Sequence, residues 1–227
     1  VLDRQDRCCI EGVAGSGKTM LAVERANRFA RQGLKALFVC YNKALADWIR
    51  STLFDDCLDN IDVYHFHGLC KDLCRLAREP FSPPKHDTDI FFRNEAPSLL
   101  LNAVEKIGPR YDAVVVDEGQ DFDPDWWLPL ELLCKQEDQS PFYLFYDPAQ
   151  NLFVDDPGLP DLGKPYHLPT NCRNTRQIAI ACSAIRNAEI RTHRLAPEGR
   201  KVCAHVCIDS EQQWRKCEQL LKELKKD

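Results

Sequence analysis

Residues Gly12 to Thr19 decide the fold: they read GVAGSGKT and match the phosphate-binding pattern G-x-x-x-x-G-K-[ST]. An apolar stretch from Arg7 to Ile10 precedes them and predicts a strand, and an amphipathic stretch from Thr19 to Gln32 follows and predicts a helix. In that setting the glycines let backbone N–H groups and the helix N-terminus face a phosphate. A glycine-rich turn with an incidental lysine is the alternative, and the flanking elements favour the phosphate-binding loop.

The loop and the start of the following helix predict the contacts to a nucleotide. Lys18 is expected to reach the β- and γ-phosphate oxygens, and the Thr19 hydroxyl is expected to bind Mg²⁺. The predicted cofactors are therefore ATP and Mg²⁺. The residues of this stretch that are predicted to bind the nucleotide are Gly12, Ala14, Gly15, Ser16, Gly17, Lys18, Thr19 and Met20.

Strand and helix patterns alternate along the chain after this loop. The further strands are predicted at Ala36–Cys40, Ile61–Phe66, Tyr111–Val116 and Tyr143–Tyr146. The further helices are predicted at Ala44–Leu53, Gly68–Ala77 and Pro97–Ile107. Alternation of this kind, with uninterrupted apolar strands, is typical of a parallel sheet covered by helices on both faces. The predicted fold class is thus α/β, with the parallel sheet of a P-loop NTPase.

Two changes along the chain predict its domain organisation. The proline-rich segment Glu79 to Asp89 forbids a regular element and indicates a small helical accessory insertion over about residues 72–110. Residues 1–166 are predicted to form the first domain, and residues 167–227 a partial second α/β domain, because they are too few for a domain of the usual size. Its predicted elements are a helix at Thr175–Arg186, a strand at Lys201–Cys207 and a helix from Glu211.

An acidic pair follows the strand that ends at Val116. Asp117 and Glu118 are expected at the carboxyl edge of the parallel sheet, where ligands bind. In an ATPase the first carboxylate holds Mg²⁺ and the second orients and deprotonates the attacking water. We therefore predict Asp117 and Thr19 as metal ligands and Glu118 as the base, with an exposed acidic turn as the alternative.

Composition limits the remaining function classes. A net charge of -5 argues against a protein that coats nucleic acid through overall basicity, so any such binding must be local. No run approaches the roughly 20 apolar residues of a membrane span, and the first residues lack a secretory signal, so we expect a cytoplasmic protein without a membrane partner. Because the chain begins at Val1 and its single methionine is Met20, we expect the natural protein to begin upstream.

The twelve cysteines form no Cys-x-x-Cys pair, and we expect most to be reduced and buried. One cluster leaves an alternative open. His65, His67, Cys70 and Cys74 are close enough in sequence to surround a metal, although such irregular spacing more often reflects packing.

Further motifs indicate the kind of ATPase. In their order along the chain, and together with the phosphate loop, they resemble the motifs of UvrD/Rep-type superfamily 1 DNA helicases. They are FVCYNKALADWIR at Phe38–Arg50, VYHFHGL at Val63–Leu69, DEGQD at Asp117–Asp121, YDPAQNLF at Tyr146–Phe153 and LPTNCRN at Leu168–Asn174. The resemblance covers the chain from Ile10 to about Gln177.

The resemblance implies a RecA-like domain that hydrolyses ATP and couples hydrolysis to single-stranded DNA, as in 3′–5′ helicases of DNA repair. It implies that Gln120 contacts the nucleotide site, that Gln150 senses the γ-phosphate and that Arg173 contacts it. Lys18, Asp117, Glu118, Gln150 and Arg173 are thus the predicted catalytic residues. The oligomeric state does not follow from the sequence.

Single-stranded nucleic acid is the predicted partner, and a translocating protein needs aromatic platforms and backbone contacts rather than base readers. By resemblance the predicted contacts are Asn42, Lys43, Phe66, His67 and Phe153. Phe66 and Phe153 could instead belong to the core, and His67 could be an ordinary loop histidine. The adjacent Trp126 and Trp127 are expected to pack a helix rather than to stack on DNA.

Two of the chain's departures from the family pattern bear directly on function. Cys172 stands where the family usually has a tyrosine that stacks on adenine, which predicts a weaker grip on the base. The fifth and sixth motifs have no counterpart before Asp227, so we expect the partner that completes the site to be the missing C-terminal half of the same motor. The alternative function is a nucleotide-gated nucleic-acid-binding or regulatory module without motor activity.

Overall fold

The computed structural model describes residues 6–53, 59–86, 88–136, 139–150, 158–186 and 189–225. The strands are β1 (Arg7–Gly12), β2 (Ala36–Cys40), β3 (Ile61–His65), β4 (Ala113–Asp117), β5 (Phe142–Tyr146), β6 (Tyr166–Leu168), β7 (Thr170–Asn171) and β8 (Arg191–Thr192). The α-helices are α1 (Lys18–Arg31), α2 (Lys43–Thr52), α3 (Phe66–Ala77), α4 (Thr88–Ile90), α5 (Ala96–Ile107), α6 (Trp127–Leu132), α7 (Arg176–Arg186) and α8 (Ser210–Leu224).

Six strands form one parallel sheet in the order β3-β2-β4-β5-β1-β6. Because all strands point the same way, the segments after β1, β2, β3, β4 and β5 leave the sheet at one edge. The prediction of an α/β fold with a parallel, helix-flanked sheet is confirmed. The arrangement is consistent with a RecA-like fold.

Alternate residues of the buried strands pack into two separate hydrophobic cores, one on each face of the sheet. On β4, Ala113 and Val115 pack on the face that α1 and α2 cover. Val114 and Val116 pack on the other face, beneath α3, α5 and α6. Since side chains alternate with a period of two, Asp117 continues the face of α1, the helix that begins at the phosphate loop.

The segment predicted as an accessory insertion is helical and packs into the main core. α4 leads through a π-helical turn at Phe91–Glu95 into α5, without a break in the chain. Leu100 of α5 and Leu73 of α3 lie in the same buried cluster. These residues therefore add a layer to one face of the sheet.

Two observations concern the last third of the chain. β6, which spans the predicted boundary at residue 166, pairs with β1 in the main sheet. The strand predicted at Lys201–Cys207 is wrong, because this segment has no regular structure and pairs with no described strand. Its alternating valines, Val202 and Val206, are exposed, and β-propensity without a neighbouring strand does not make a sheet.

The cysteines in the described residues are free, and six of them are buried. Burial raises the pKa of Cys8 and of Cys40 to about 12, so both thiols stay protonated. Among the described residues, no helix has both the length and the apolar character that crossing a bilayer requires.

Candidate functional site

A cavity of about 510 Å³ lies where the phosphate loop meets the carboxyl edge of the sheet. It brings together groups that are far apart in sequence, from the loop after β1, the acidic motif after β4 and the segments after β5 and β6. The residues that line it are Ala14, Gly15, Gly17, Lys18, Thr19, Met20, Leu45, Trp48, Glu118, Gln150, Cys172 and Arg173. Four of the five predicted catalytic residues are in this set, and the fifth, Asp117, immediately precedes Glu118.

The phosphate loop is closely packed. A side chain at Gly12 would place its Cβ 2.5 Å from the Ser16 Oγ, so any larger residue would have to displace the Ser16 hydroxyl. Gly17 has a φ of 93° and directly precedes α1. Lys18 folds back over the loop, and its ammonium donates to the backbone oxygens of Gly12 at 2.9 Å and Val13 at 3.3 Å. The lysine is thus held within the loop, with its head group near the N-terminus of α1.

Asp117 is completely buried at the end of β4. Within the described residues, neither of its carboxylate oxygens has a hydrogen-bond partner of normal geometry. Burial, and next the adjacent Glu118, raise the pKa of Asp117 to about 7, while the nearby Thr19 hydroxyl and Lys18 oppose this rise. A buried carboxylate with free oxygens beside a threonine hydroxyl suits a hard cation such as Mg²⁺, which takes oxygen ligands and retains water.

Glu118 holds an unusual backbone conformation at the mouth of the cavity. Its φ of 55° is in the left-handed region that residues other than glycine rarely adopt. Its Oε2 accepts a hydrogen bond of 2.6 Å from the Gln120 Nε2. Strained residues of this kind cluster at functional sites, because the surrounding structure must hold them in place.

A chain of hydrogen bonds runs from Glu118 to the segment after β5. The backbone N–H of Asp147 donates to the Gln120 Oε1 at 2.9 Å, and the Asp147 Oδ2 accepts from the Gln150 Nε2 at 2.7 Å. The same Oδ2 lies 3.6 Å from the Lys18 ammonium. Sequence reasoning assigned no role to Asp147, although it follows a buried strand at the same sheet edge as Asp117.

The segment after β6 contacts the phosphate loop through a backbone hydrogen bond. The backbone N–H of Cys172 donates to the Gly15 oxygen at 2.9 Å. The Oδ1 of the buried Asn171 accepts from the N–H groups of Arg173 at 3.0 Å and Asn174 at 2.9 Å. Asn171, a further residue without a predicted role, therefore positions the arginine beside the loop.

The predicted nucleic-acid contacts divide into exposed and buried residues. Asn42 caps α2 by accepting from the Leu45 N–H at 3.1 Å, and Lys43 beside it is exposed. Phe66 is 0% exposed and stacks on Trp126, with ring centroids 3.9 Å apart. This packing corrects the prediction for Phe66: a ring covered on all sides by the core offers no face to a base. Phe153 lies outside the described residues.

His67 lines a second cavity, of about 410 Å³. Its Nε2 lies 3.1 Å from the Phe92 oxygen, and burial lowers the pKa of His67 to about 4. Aromatic residues and acids share this cavity with it: Tyr41, Phe92, Trp126, Asp89, Asp121 and Asp123, together with Arg93. His67 is therefore neutral at physiological pH, in acidic surroundings.

The structure bears on the possible metal cluster that starts at His65 and on the adjacent tryptophans Trp126 and Trp127. Among the described residues, no three His, Cys, Asp or Glu side chains are placed to share a metal, and this includes the cluster that starts at His65. Cys70 and Cys74 are instead buried in the core. Trp126 and Trp127 are also buried, as expected for residues that pack a helix.

No model of a known protein family matches the chain, and no curated protein matches it.

Proposed function

We propose that the chain is the ATP-binding part of a nucleic-acid motor of the UvrD/Rep type, with a RecA-like P-loop NTPase domain. One observation carries this proposal: Lys18, Glu118 and Arg173 line one cavity, although they come from three different segments of the chain. A phosphate loop, an acidic pair and an arginine around one space are the groups that phosphoryl transfer to water requires.

Each group has a role in this reaction. The loop backbone and Lys18 would bind the phosphates, and Lys18 would exchange the backbone oxygens of Gly12 and Val13 for phosphate oxygens. Thr19 and Asp117 would hold Mg²⁺, which when bound offsets the charge on the phosphate oxygens. Asp117 would lose its proton on binding the cation, because a metal ligand must be ionised.

Glu118 would orient the attacking water and accept its proton. Its hydrogen bond to Gln120 keeps the carboxylate at the cavity mouth. Gln150 lines the cavity and donates a hydrogen bond to Asp147. Loss of the γ-phosphate would therefore alter the contacts of the segment after β5. Arg173 would stabilise charge that develops during transfer, because a guanidinium fits the phosphate oxygens.

The link to nucleic acid is proposed at the same sheet edge. Asn42 and Lys43 follow β2, and His67 lies in the first turn of α3, after β3. β2 lies next to β4, which carries Asp117, and β3 lies on the other side of β2. Single-stranded DNA bound there would lie near the acidic motif, and the chain from Glu118 to Asp147 would couple the two sites.

A module that binds nucleotide without motor activity is the second candidate. Cys172 favours it, because this small side chain lines the cavity where the family pattern places an adenine-stacking ring. The rate of ATP hydrolysis with and without single-stranded DNA separates the two candidates. We expect single-stranded DNA to stimulate ATP hydrolysis if the chain belongs to a motor, and to have no effect on it if the chain is a module.

The decisive experiment for the nucleotide site is a calorimetric titration of the full 227-residue chain with ATP, with and without Mg²⁺. Saturable binding that Mg²⁺ strengthens is the expected result. Absence of binding under both conditions would contradict the proposal.

A further inference from the structure

The cavity has an apolar side that the proposed triphosphate does not use. Met20 on α1 and Leu45 and Trp48 on α2 form this side. Leu45 and Trp48 are three residues apart, so they lie on neighbouring positions of one helix face. Ala46 and Ile49, on the adjacent face of α2, are buried against the sheet, and Leu45 packs at the edge of the same cluster, so the orientation of α2 is fixed.

Trp48 and Met20 keep much of their surface open. Trp48 is 46% exposed and Met20 is 63% exposed, although both are large apolar side chains. An open indole at the wall of a cavity offers a flat face on which a base can stack. A methionine beside it adapts to an aromatic ring through its flexible, polarisable thioether.

The polar lining is tied to the phosphate loop instead. Gln150 is held by Asp147 beside Lys18, and Arg173 follows the residue that bonds to Gly15. The cavity thus has a charged part for phosphates and an apolar part next to it. That division matches a nucleotide, which has a charged tail and a flat, weakly polar base.

We propose that Trp48, backed by Leu45 and Met20, is the stacking surface for the nucleobase. This inference rests on the proposed binding of a triphosphate at the phosphate loop. Trp48 on α2 would thus provide the aromatic ring for the base, whereas the segment after β6 carries Cys172, which has no ring.

The same surface sets the base selectivity. Met20, Leu45 and Trp48 of the apolar side carry no side-chain amide or charge that would read a base edge, and neither do Ala14 and Cys172, which also line the cavity. Stacking alone accepts any purine. ATP and GTP therefore bind with affinities within a few-fold of each other, and the pyrimidine triphosphates bind more weakly because their rings are smaller.

The test compares MgATP, MgGTP and magnesium tripolyphosphate as ligands of the full chain in calorimetry. For the wild type, both nucleotides bind more tightly than tripolyphosphate. Trp48→Ala weakens the binding of ATP and GTP by roughly 10-fold and leaves tripolyphosphate unchanged, whereas Trp48→Phe keeps most of the affinity. Trp214→Ala is the matched control, because Trp214 is a 76% exposed tryptophan on α8 outside the cavity.

Three results would overturn the inference. The first is that Trp48→Ala loses affinity for ATP and for tripolyphosphate to the same extent. The second is that the variant keeps its ATP affinity. The third is that it binds ATP normally but no longer binds single-stranded DNA. Failure of the proposed function is separate and visible in the wild type, which would then bind neither tripolyphosphate nor ATP. The fluorescence of Trp48 gives a second readout, since ATP quenches the wild type but not Trp48→Phe.

Discussion

The Lys18 ammonium lies 3.6 Å from the Asp147 Oδ2, and the two side chains are only 6% and 1% exposed. This contact joins the phosphate loop to the segment after β5. Phosphate oxygens and Asp147 would compete for the same ammonium. The pair therefore gives a physical basis for a link between nucleotide binding and the position of Gln150.

Asp147→Asn tests this pair. The variant keeps the shape of the side chain but leaves Lys18 without its counter-charge, and its amide nitrogen cannot accept the bond from Gln150. We expect the free energy of unfolding to fall by roughly 2–4 kcal/mol. Urea denaturation measures it, with the exposed Asp125→Asn as control. Equal stability of the two variants would show that the pair contributes nothing.

Lys18→Ala addresses the role of the loop itself. The methyl group cannot reach a phosphate, so we expect MgATP affinity to fall at least about 100-fold, because charge-assisted contacts to phosphate are strong. Calorimetry is the measurement. The exposed Lys201→Ala removes one positive charge from a distant segment and serves as the control. Normal ATP binding by Lys18→Ala would remove the loop from the proposed site.

Glu118→Gln separates binding from hydrolysis. The amide keeps the size of the side chain and still accepts from Gln120, but it cannot take a proton from water. We expect ATP affinity to be retained and the rate of ATP hydrolysis to fall roughly 10²- to 10⁴-fold. Glu105→Gln, on the exposed side of α5, controls for the lost charge. Unchanged turnover would exclude Glu118 as the base.

The parallel sheet could be predicted from the sequence, and four of the predicted catalytic residues line the cavity, whereas Leu45 and Trp48 in its lining were not predicted to contact the nucleotide. Its apolar strands and its phosphate loop depend on local patterns, and the carboxyl edge of a parallel sheet collects whatever follows each strand. Phe66 shows what local sequence patterns do not predict. Its motif position suggests a base contact, but burial depends on Trp126, sixty residues later in the chain, and no local pattern encodes that contact.

Asp147 and Asn171 were missed for a related reason. Each makes its important contacts to a different segment, Asp147 to Lys18 and Gln120, and Asn171 to the surroundings of Gly15. A polar residue directly after a buried strand was the available signal for Asp147. The strand predicted at Lys201–Cys207 failed because propensity cannot supply a partner strand.

Phe66 can be tested as a core residue. Phe66→Ala removes a fully buried ring stacked on Trp126, and we expect the free energy of unfolding to fall by about 3–5 kcal/mol. Phe66→Leu fills more of the space and should leave single-stranded DNA affinity unchanged in a fluorescence-anisotropy titration. A stable Phe66→Leu protein with clearly weaker DNA binding would restore Phe66 as a contact.

The buried Asp117 predicts a pH dependence of stability in the metal-free protein. The unfolded carboxyl ionises near its usual pKa of 3.8, whereas burial raises the folded pKa to about 7. Between these values the folded state binds more protons, so this group makes the free energy of unfolding fall as pH rises, by at most about 4 kcal/mol in all.

Asp117→Asn removes this contribution and leaves the other groups that titrate in place. The difference in unfolding free energy between the variant and the wild type should therefore widen in favour of the variant from about pH 4 to about pH 7. Urea denaturation at steps of pH, with a chelator present, measures it. A difference that stays constant over this interval would mean that Asp117 is ionised throughout.

Gly15→Ala and Gly33→Ala form a matched pair that tests the contact between the segment after β6 and the phosphate loop. Both glycines have positive φ, 73° and 80°, so alanine is strained by roughly 1–2 kcal/mol at either position. At Gly33 nothing lies within 4 Å of the added Cβ, whereas at Gly15 the Cβ would be 2.8 Å from the Asn171 Oδ1. That oxygen holds the backbone of Arg173, so only Gly15→Ala should displace the arginine.

We therefore expect Gly15→Ala to weaken MgATP binding at least about 10-fold. Gly33→Ala carries similar backbone strain, so it should also lower stability. It should leave the affinity within about twofold, because its Cβ contacts no other group. Calorimetry on both proteins, with thermal unfolding as the check on folding, measures the two effects. If both variants bound ATP equally well, the contact between Asn171 and the loop would have no part in holding the nucleotide. A loss confined to Gly15→Ala would place Asn171 among the residues that position Arg173 for phosphate.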